Sequence, residues 1–148
     1  MLEGYHILTV THRDTDLARI RHYIVPGEGE ALRQRLESLK TDLSLDELMY
    51  VATCNRVMYV FHTTQAVDAD FRQRFFAHVN PELDAGAVGA VRHYAGLDAV
   101  RHFFRVAASI ESLVVGEREI LRQLREAYAR CKEWGLTGDA LRLLERFG

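Results

Sequence analysis

Residues 48–62 read LMYVATCNRVMYVFH, two runs of aromatic and β-branched residues that are separated by three residues. Leu48–Thr53 and Val57–His62 have the composition of β-strands. The connection Cys54-Asn55-Arg56 is short, and Asn is a residue that tolerates tight turns. This stretch therefore predicts two neighbouring strands with a sharp connection that exposes Cys54 at a strand end.

Four further segments complete the pattern of an α+β domain. Tyr5–Thr11 alternates and is rich in Ile, Val and Thr, which predicts a strand. Gly29–Lys40 has apolar residues at helical spacing, Val67–Val79 predicts a second helix, and Ala87–Tyr94 predicts a last strand. The order strand, helix, strand, strand, helix, strand is typical of a ferredoxin-like antiparallel sheet with helices on one face.

Helical segments follow the sheet. Asp98 is predicted to be the N-cap of a helix that extends through Ile110. A further helix is predicted over about 117–134, and residues 135–138 predict a turn before a last helix. We therefore expect the C-terminal third of the chain to be helical.

The composition fits one domain that does not rely on overall charge to hold a partner. The chain has 148 residues, 48% of them hydrophobic, and a formal net charge of -2. Nucleic acid is held by clustered Lys and Arg, so any such partner must be bound locally or elsewhere. The sequence contains neither a run of about 18 apolar residues nor a signal peptide pattern, so we expect a cytoplasmic protein without a membrane partner.

Cys54 and His102 are the candidate pair for chemistry. A thiol at a strand end beside the cation of Arg56 has the electropositive, partly exposed setting that favours thiolate. An imidazole can move protons or polarise a carbonyl, so cysteine plus histidine is the minimal set for acyl transfer. The plainer interpretations stay open here: Cys54 could pack as a small hydrophobe, and His102 could be a structural residue on a helix face.

Two other patterns do not predict sites. The scattered histidines have no metal-ligand spacing. The segment Pro26-Gly27-Glu28-Gly29 offers G-x-G before a helix, but Leu32 occupies the third glycine position of a dinucleotide fingerprint. We therefore expect neither a metal site nor a nicotinamide site in this chain. The two cysteines, Cys54 and Cys131, are expected to be free thiols.

Two stretches together resemble the glutamyl-tRNA reductase family. One is Thr53-Cys54-Asn55-Arg56, with Tyr59 downstream. The other runs from His102-Phe103-Phe104-Arg105-Val106-Ala107 through Glu111-Ser112-Leu113-Val114-Val115-Gly116-Glu117 to Ile120, Leu121 and Gln123. The spacing between the stretches agrees with the family, and the likeness covers essentially the whole chain.

The resemblance implies an NADPH-dependent reductase. In such an enzyme Cys54 would attack the ester carbonyl of glutamyl-tRNA(Glu), and NADPH would reduce the thioester to glutamate-1-semialdehyde, the first step of five-carbon tetrapyrrole (porphyrin) synthesis. His102 would orient or polarise the reacting carbonyl, and Arg56 would pair with the substrate carboxylate. The other implied pocket residues are Thr53, Asn55, Ser112 and, in a supporting role, Glu117.

The sequence departs from the family pattern at several positions. Met58 stands where the family commonly has Glu, and Arg122 replaces a glycine. The usual Gly-Leu-Asp-Ser is Ser109-Ile110-Glu111-Ser112. Glu119 stands in place of Gln and could repel the substrate carboxylate, so we do not assign it to the site.

The resemblance also implies a longer native protein. Residues 1–148 would form the N-terminal catalytic, glutamyl-recognition domain, with a sheet part over 1–95 and a helical part over 96–148 that leads into a long connecting helix. The NADPH-binding and dimerisation domains would be absent, so this fragment would carry only the acyl-transfer half. The full-length protein would be a homodimer, and a downstream aminomutase is a further partner that the resemblance suggests.

Two other functions fit the same residues. One is a non-catalytic ferredoxin-like binding module in which Cys54 only packs. The other is an unrelated thiol acyltransferase that uses Cys54 and His102 without tRNA. A thiol that is inert to alkylation would favour the first, and equal use of free glutamyl thioesters and charged tRNA would favour the second.

Overall fold

A four-stranded antiparallel sheet forms the centre of the fold. The computed structural model describes residues 1–108 and 117–147. The strands are β1 Tyr5–Thr11, β2 Glu47–Ala52, β3 Arg56–His62 and β4 Arg92–Ala95, and they lie in the order β2-β3-β1-β4. This order and the antiparallel pairing confirm the predicted ferredoxin-like α+β sheet.

The strand register divides the side chains between two faces. β1 pairs with β3 from Tyr5 opposite His62 to Thr11 opposite Arg56, and with β4 from His6 opposite Ala95 to Thr9 opposite Arg92. Paired residues share a face of the sheet, and the face alternates along each strand. Arg56 and Thr11 therefore lie on the same face at one end of the sheet.

The first face is covered by the two helices of the ferredoxin-like unit. These helices are α2 Gly29–Asp42 and α3 Ala69–Val79, the latter capped by the Asp68 carboxylate. They bury an apolar cluster in which Phe75 packs edge-on against Tyr59 and stacks on Phe61. Each such fully buried aromatic side chain contributes about 1.5–3 kcal/mol through removal of apolar surface from water.

The second face is covered by the C-terminal helices. They are α5 Leu97–Ala107, α6 Glu117–Glu133 and α7 Asp139–Arg142, followed by a 3₁₀ turn over Leu143–Phe147. Their apolar side chains pack on Ile7, Met58 and Val60 of the sheet. The predicted C-terminal helices thus complete the core as a second layer.

The end of α6 and the chain that follows it also cover the outer edge of β2. The Leu48 amide donates to the Leu136 carbonyl at 2.8 Å, and the Arg130 guanidinium donates to the Tyr50 carbonyl at 3.2 Å. Cys131 and Leu136 join the first-face cluster from this side. Two backbone groups of this edge strand, the Leu48 amide and the Tyr50 carbonyl, are therefore paired within the chain.

Two local predictions differ from the structure, and two short elements were not predicted. Within the predicted strand Ala87–Tyr94, the first residues belong to a short helix, α4 Ala85–Gly89, which begins at the side-chain cap Asp84. Asp98 is not the N-cap of α5, because Gly96 holds that position with φ 62° and Asp98 lies in the first turn. The sequence patterns also missed α1 Leu17–Ile20 and the 3₁₀ turn Arg21–Tyr23, which are too short to show periodicity.

A carboxylate of β2 fixes the last helix to the sheet. Glu47 accepts hydrogen bonds from the backbone amides of Gly138, Ala140 and Leu141 at 2.6, 2.8 and 2.8 Å. Because these charge-assisted bonds satisfy amides at a helix start, we expect Glu47→Ala to lower the free energy of unfolding by about 2–3 kcal/mol. Urea unfolding followed by circular dichroism measures this change.

Glu37→Ala is the matched control, because Glu37 makes a solvent-exposed ion pair with Arg33. We expect it to cost no more than about 0.5 kcal/mol. Equal costs for the two substitutions would contradict the role assigned to Glu47.

Candidate active site

Cys54 lies exposed in the three-residue connection between β2 and β3. The Thr53 amide donates to the Arg56 carbonyl at 2.7 Å, which closes the hairpin. The Thr53 hydroxyl accepts from the Asn55 amide at 3.2 Å. The predicted sharp connection is confirmed, and Thr53 and Asn55 both help to shape it.

A neighbouring segment holds the same connection from outside. The His12 amide, directly after β1, donates to the Asn55 carbonyl at 3.0 Å. Asn55 keeps an ordinary negative φ, so hydrogen bonds and not a left-handed residue define this turn. The backbone on both sides of Cys54 is therefore fixed while the thiol remains accessible.

Arg56 begins β3 beside Cys54 and points to the second face of the sheet. It is half-buried, and its Nη1 atom is shielded from solvent. On the same face Met58 is fully buried in the apolar cluster. Met58 is therefore a core residue, and a Glu side chain at this position would be buried in apolar surroundings.

His102 lies on α5 and is 5% exposed. Its ring stacks on Tyr94 of β4, with centroids 3.9 Å apart and an interplanar angle of 9°. Tyr94 pairs with Ile7, whereas Arg56 pairs with Thr11, four residues further along β1. Four residues correspond to about 13 Å along a strand. His102 and the Cys54 connection therefore lie on the same face of the sheet, but next to different residue pairs along β1.

The helix α5, which carries His102, runs along β1 towards Cys54. The Gly96 amide, at the helix start, donates to the Tyr5 carbonyl at 2.8 Å. Since His102 then lies next to the pair of Tyr94 and Ile7, further along β1, the helix runs towards the end that carries Cys54. Ser112 lies outside the described residues, as do the side chains of Glu117 and Glu119.

Two features near these residues could not be predicted from the sequence. One is the stacking of Tyr94 on the ring of His102. In the sequence Tyr94 is only one aromatic residue in a predicted strand. The other is the ion pair between Asp14 and Arg92, with Oδ1 and Nε 2.5 Å apart. These residues are 78 positions apart, so no local pattern relates them.

A pair of histidines lies on the first face, away from Cys54. His6 Nδ1 and His93 Nε2 are 3.0 Å apart, and the His6 ring stacks on Phe61. Burial, with the neighbouring His93 as the second cause, lowers the pKa of His6 to about 4. Within residues 1–108 and 117–147, no three His, Cys, Asp or Glu side chains are grouped so that they could hold a metal ion.

The segment before α2 does not fit a dinucleotide. Gly27 and Gly29 have positive φ values of 104° and 56°, as expected of a tight entry turn. Leu32, at the third position of the fingerprint, is 6% exposed and packs in the first-face cluster. Glycine at that position would allow the close helix packing of a nucleotide-binding unit, so this turn is a helix entry only.

The two thiols are expected to differ strongly in reactivity. Cys54 is exposed, whereas Cys131 is fully buried and its burial raises the thiol pKa. We therefore expect iodoacetamide at pH 7.5 to modify Cys54 at least about 100-fold faster than Cys131. Peptide mass spectrometry over time measures both rates. Comparable modification rates of the two cysteines in the folded chain would contradict the described burial of Cys131.

The fold and the cysteine connection define an α+β domain of ferredoxin-like topology with a thiol site at one end of its sheet. Residues 8–147 match the family model described as "Glutamyl-tRNAGlu reductase, N-terminal domain". The chain belongs to this family.

Relatives of known name agree with this assignment. The chain is 37% identical to the glutamyl-tRNA reductase of Desulfotalea psychrophila over 144 residues, which cover 93% of the chain and 32% of the relative. It is 42% identical to glutamyl-tRNA reductase 2 of Anaeromyxobacter dehalogenans over 113 residues, covering 75% of the chain and 23% of the relative. The chain therefore spans about a third or less of these proteins.

A solved structure has the same fold. The glutamyl-tRNA reductase from Methanopyrus kandleri superposes with a TM-score of 0.74 at 25% identity, covering 97% of this chain and 32% of that one. Among the helices in the described ranges, none combines the length and apolarity needed to cross a membrane.

Proposed function

We propose that this chain accepts the glutamyl group of glutamyl-tRNA(Glu) on Cys54. The observation that carries the proposal is the exposed thiol in a hydrogen-bonded hairpin connection, beside Arg56, in a chain of this family. The Cys54 thiol loses its proton, and its sulfur bonds to the ester carbonyl carbon. The bond from that carbon to the ribose oxygen of the tRNA then breaks, and the oxygen takes up a proton.

The neighbouring residues have proposed roles in recognition. The guanidinium of Arg56 suits the side-chain carboxylate of the glutamyl group, because a fork of donors can bind both of its oxygens. Thr53 and Asn55 line the same connection, and Ser112 and Glu117 complete the proposed pocket. His102 orients or polarises the reacting carbonyl. In the structure the side chains of His102 and Arg56 both lie on the face that the C-terminal helices cover, next to residues four positions apart along β1.

The later steps belong to the proposal for the whole protein. NADPH would supply the hydride that converts the thioester to glutamate-1-semialdehyde, for porphyrin synthesis in the cytoplasm. The turn before α2 does not fit this cofactor, so no reductive step is assigned to the described residues. The homodimer and the aminomutase partner are likewise proposed for the whole protein. For this chain alone we expect the thioester to be hydrolysed by water.

Substrate choice tests the proposal. The chain is incubated with charged tRNA or with a free glutamyl thioester, and any adduct on Cys54 is identified by peptide mass spectrometry. An adduct that forms from charged tRNA at least about tenfold faster at equal concentration supports it, because the tRNA adds binding energy. Equal use of both donors would favour an unrelated thiol acyltransferase. No adduct, together with an inert thiol, would favour a binding module.

A further inference from the structure

A carboxylate buried at the end of β1 organises the segment beside Cys54. The Asp14 side chain is 6% exposed. Its Oδ2 accepts from the amide and the hydroxyl of Thr11, at 2.9 and 3.1 Å. The Asp14 amide in turn donates to the Thr11 carbonyl at 2.9 Å. These bonds fold residues 11–14 into a compact turn with little freedom.

Arg92 holds the same carboxylate from the edge of the sheet. Its Nε donates to Asp14 Oδ1, so both carboxylate oxygens have partners. Burial by itself raises the pKa of Asp14, but the hydrogen bonds from Arg92 and Thr11 outweigh it and leave the pKa below its usual value. Asp14 is therefore ionised at neutral pH, and its charge is balanced by Arg92.

The turn is connected to Cys54 through the backbone. Thr11 pairs with Arg56, and the next residue, His12, donates its amide to the carbonyl of Asn55. Asn55 directly follows Cys54 in the chain. A displacement of residues 11–14 would therefore move one of the bonds that fix the Cys54 connection.

We propose that Asp14, held by Arg92, is a positioning residue for Cys54. It fixes the turn after β1 so that the His12 amide keeps the Cys54 connection in one arrangement. The consequence for acyl transfer rests on the function proposed above. A misplacement of about 1 Å at a reacting group can cost on the order of 100-fold in rate. A residue that does not touch the substrate but fixes the position of Cys54 can therefore affect the rate.

Asp14→Asn tests this role, because it keeps the shape and one acceptor oxygen but removes the charge that Arg92 balances. Asp16→Asn is the matched control: Asp16 lies two residues away, caps α1 and bonds to Arg19 at the surface. Arg92→Leu tests the same pair from an exposed position and serves if Asp14→Asn fails to fold. Arg92→Lys is the conservative variant.

Two measurements are made on each variant of the 148-residue chain. Amide hydrogen exchange reports on the His12 bond, and we expect it to be at least about tenfold faster in Asp14→Asn. Single-turnover transfer from glutamyl-tRNA gives a maximal rate and a half-saturating concentration. We expect the maximal rate to fall about tenfold and the half-saturating concentration to change less than twofold. Arg92→Leu should match Asp14→Asn, and Arg92→Lys and Asp16→Asn should stay close to the unsubstituted chain.

The outcomes separate this inference from the proposed function. Faster His12 exchange with an unchanged maximal rate would overturn the inference and leave the proposed function standing. If the unsubstituted chain forms no glutamyl adduct, the proposed function fails, and iodoacetamide then decides the positioning role. A change of at least about threefold in the Cys54 alkylation rate, seen in Asp14→Asn but not in Asp16→Asn, supports it. Equal alkylation rates in the two variants would reject it.

Discussion

Cys54→Ser is expected to lower the rate of glutamyl transfer by at least about 10³-fold and to remove the covalent adduct. A hydroxyl is far less acidic than a thiol, so serine offers almost no anionic nucleophile near neutral pH. The substitution changes a single atom in an exposed side chain, so folding should be unaffected. Deacylation of glutamyl-tRNA, with intact-mass analysis of the trapped protein, measures both effects.

Cys131→Ala is the matched control, because Cys131 is the second thiol and is buried away from the connection. It should cost about 1–2 kcal/mol of stability through a small cavity but leave the transfer rate within about twofold. A Cys54→Ser chain that kept a tenth or more of the rate would show that the acyl group is accepted elsewhere. His102→Ala is expected to be intermediate, with a loss of about 10²-fold.

Acidification is expected to destabilise the fold through His6. The imidazole has a pKa of about 4 in the folded chain, below the ordinary histidine value of 6.5. Between these values the unfolded chain binds more protons, so the contribution of neutral His6 is fully present above about pH 6.5 and is lost as the pH falls towards 4. The shift corresponds to about 3 kcal/mol. Urea unfolding at pH 7, 5.5 and 4.5 measures the loss.

The geometry of the histidine pair supports this expectation. The bond between His6 Nδ1 and His93 Nε2 needs one donor and one acceptor nitrogen, which two protonated rings cannot supply. His6→Gln should therefore flatten the pH dependence between pH 6.5 and 4.5. The control is His22→Gln, because His22 is exposed. An equally steep pH dependence in both variants would rule out His6 as the acid-labile group.

Alternation and turn composition were sufficient to predict the first three strands of the sheet. The strands around Cys54 and the first strand are rich in β-branched and aromatic residues, and their burial in two clusters agrees with that pattern. The short helix α4 was misread, because Val88 and Val91 also suit a strand, although Asp84 is a recognisable cap. Asp98 was assigned wrongly as the N-cap, because Gly96, with a positive φ directly after β4, holds that position.

Only the parts of the site formed by residues close together in the sequence could be predicted. The exposure of Cys54 and the closeness of Thr53, Asn55 and Arg56 follow from one short connection, and the structure has them together. The stacking of His102 on Tyr94 and the ion pair of Asp14 with Arg92 depend on how β4 joins the sheet. Such contacts are products of tertiary packing, which no periodicity in a single sequence encodes.

The covered edge of β2 has a consequence for behaviour at high concentration. An edge strand with free backbone groups can add a strand from a second molecule and so begin aggregation. Here the Leu48 amide and the Tyr50 carbonyl are already bonded to the segment around α6. At the opposite edge, β4 has only four residues and carries the charged Arg92. Both edges of the sheet therefore disfavour the addition of strands from other molecules. Partial unfolding of the C-terminal helices would expose the β2 edge to such addition.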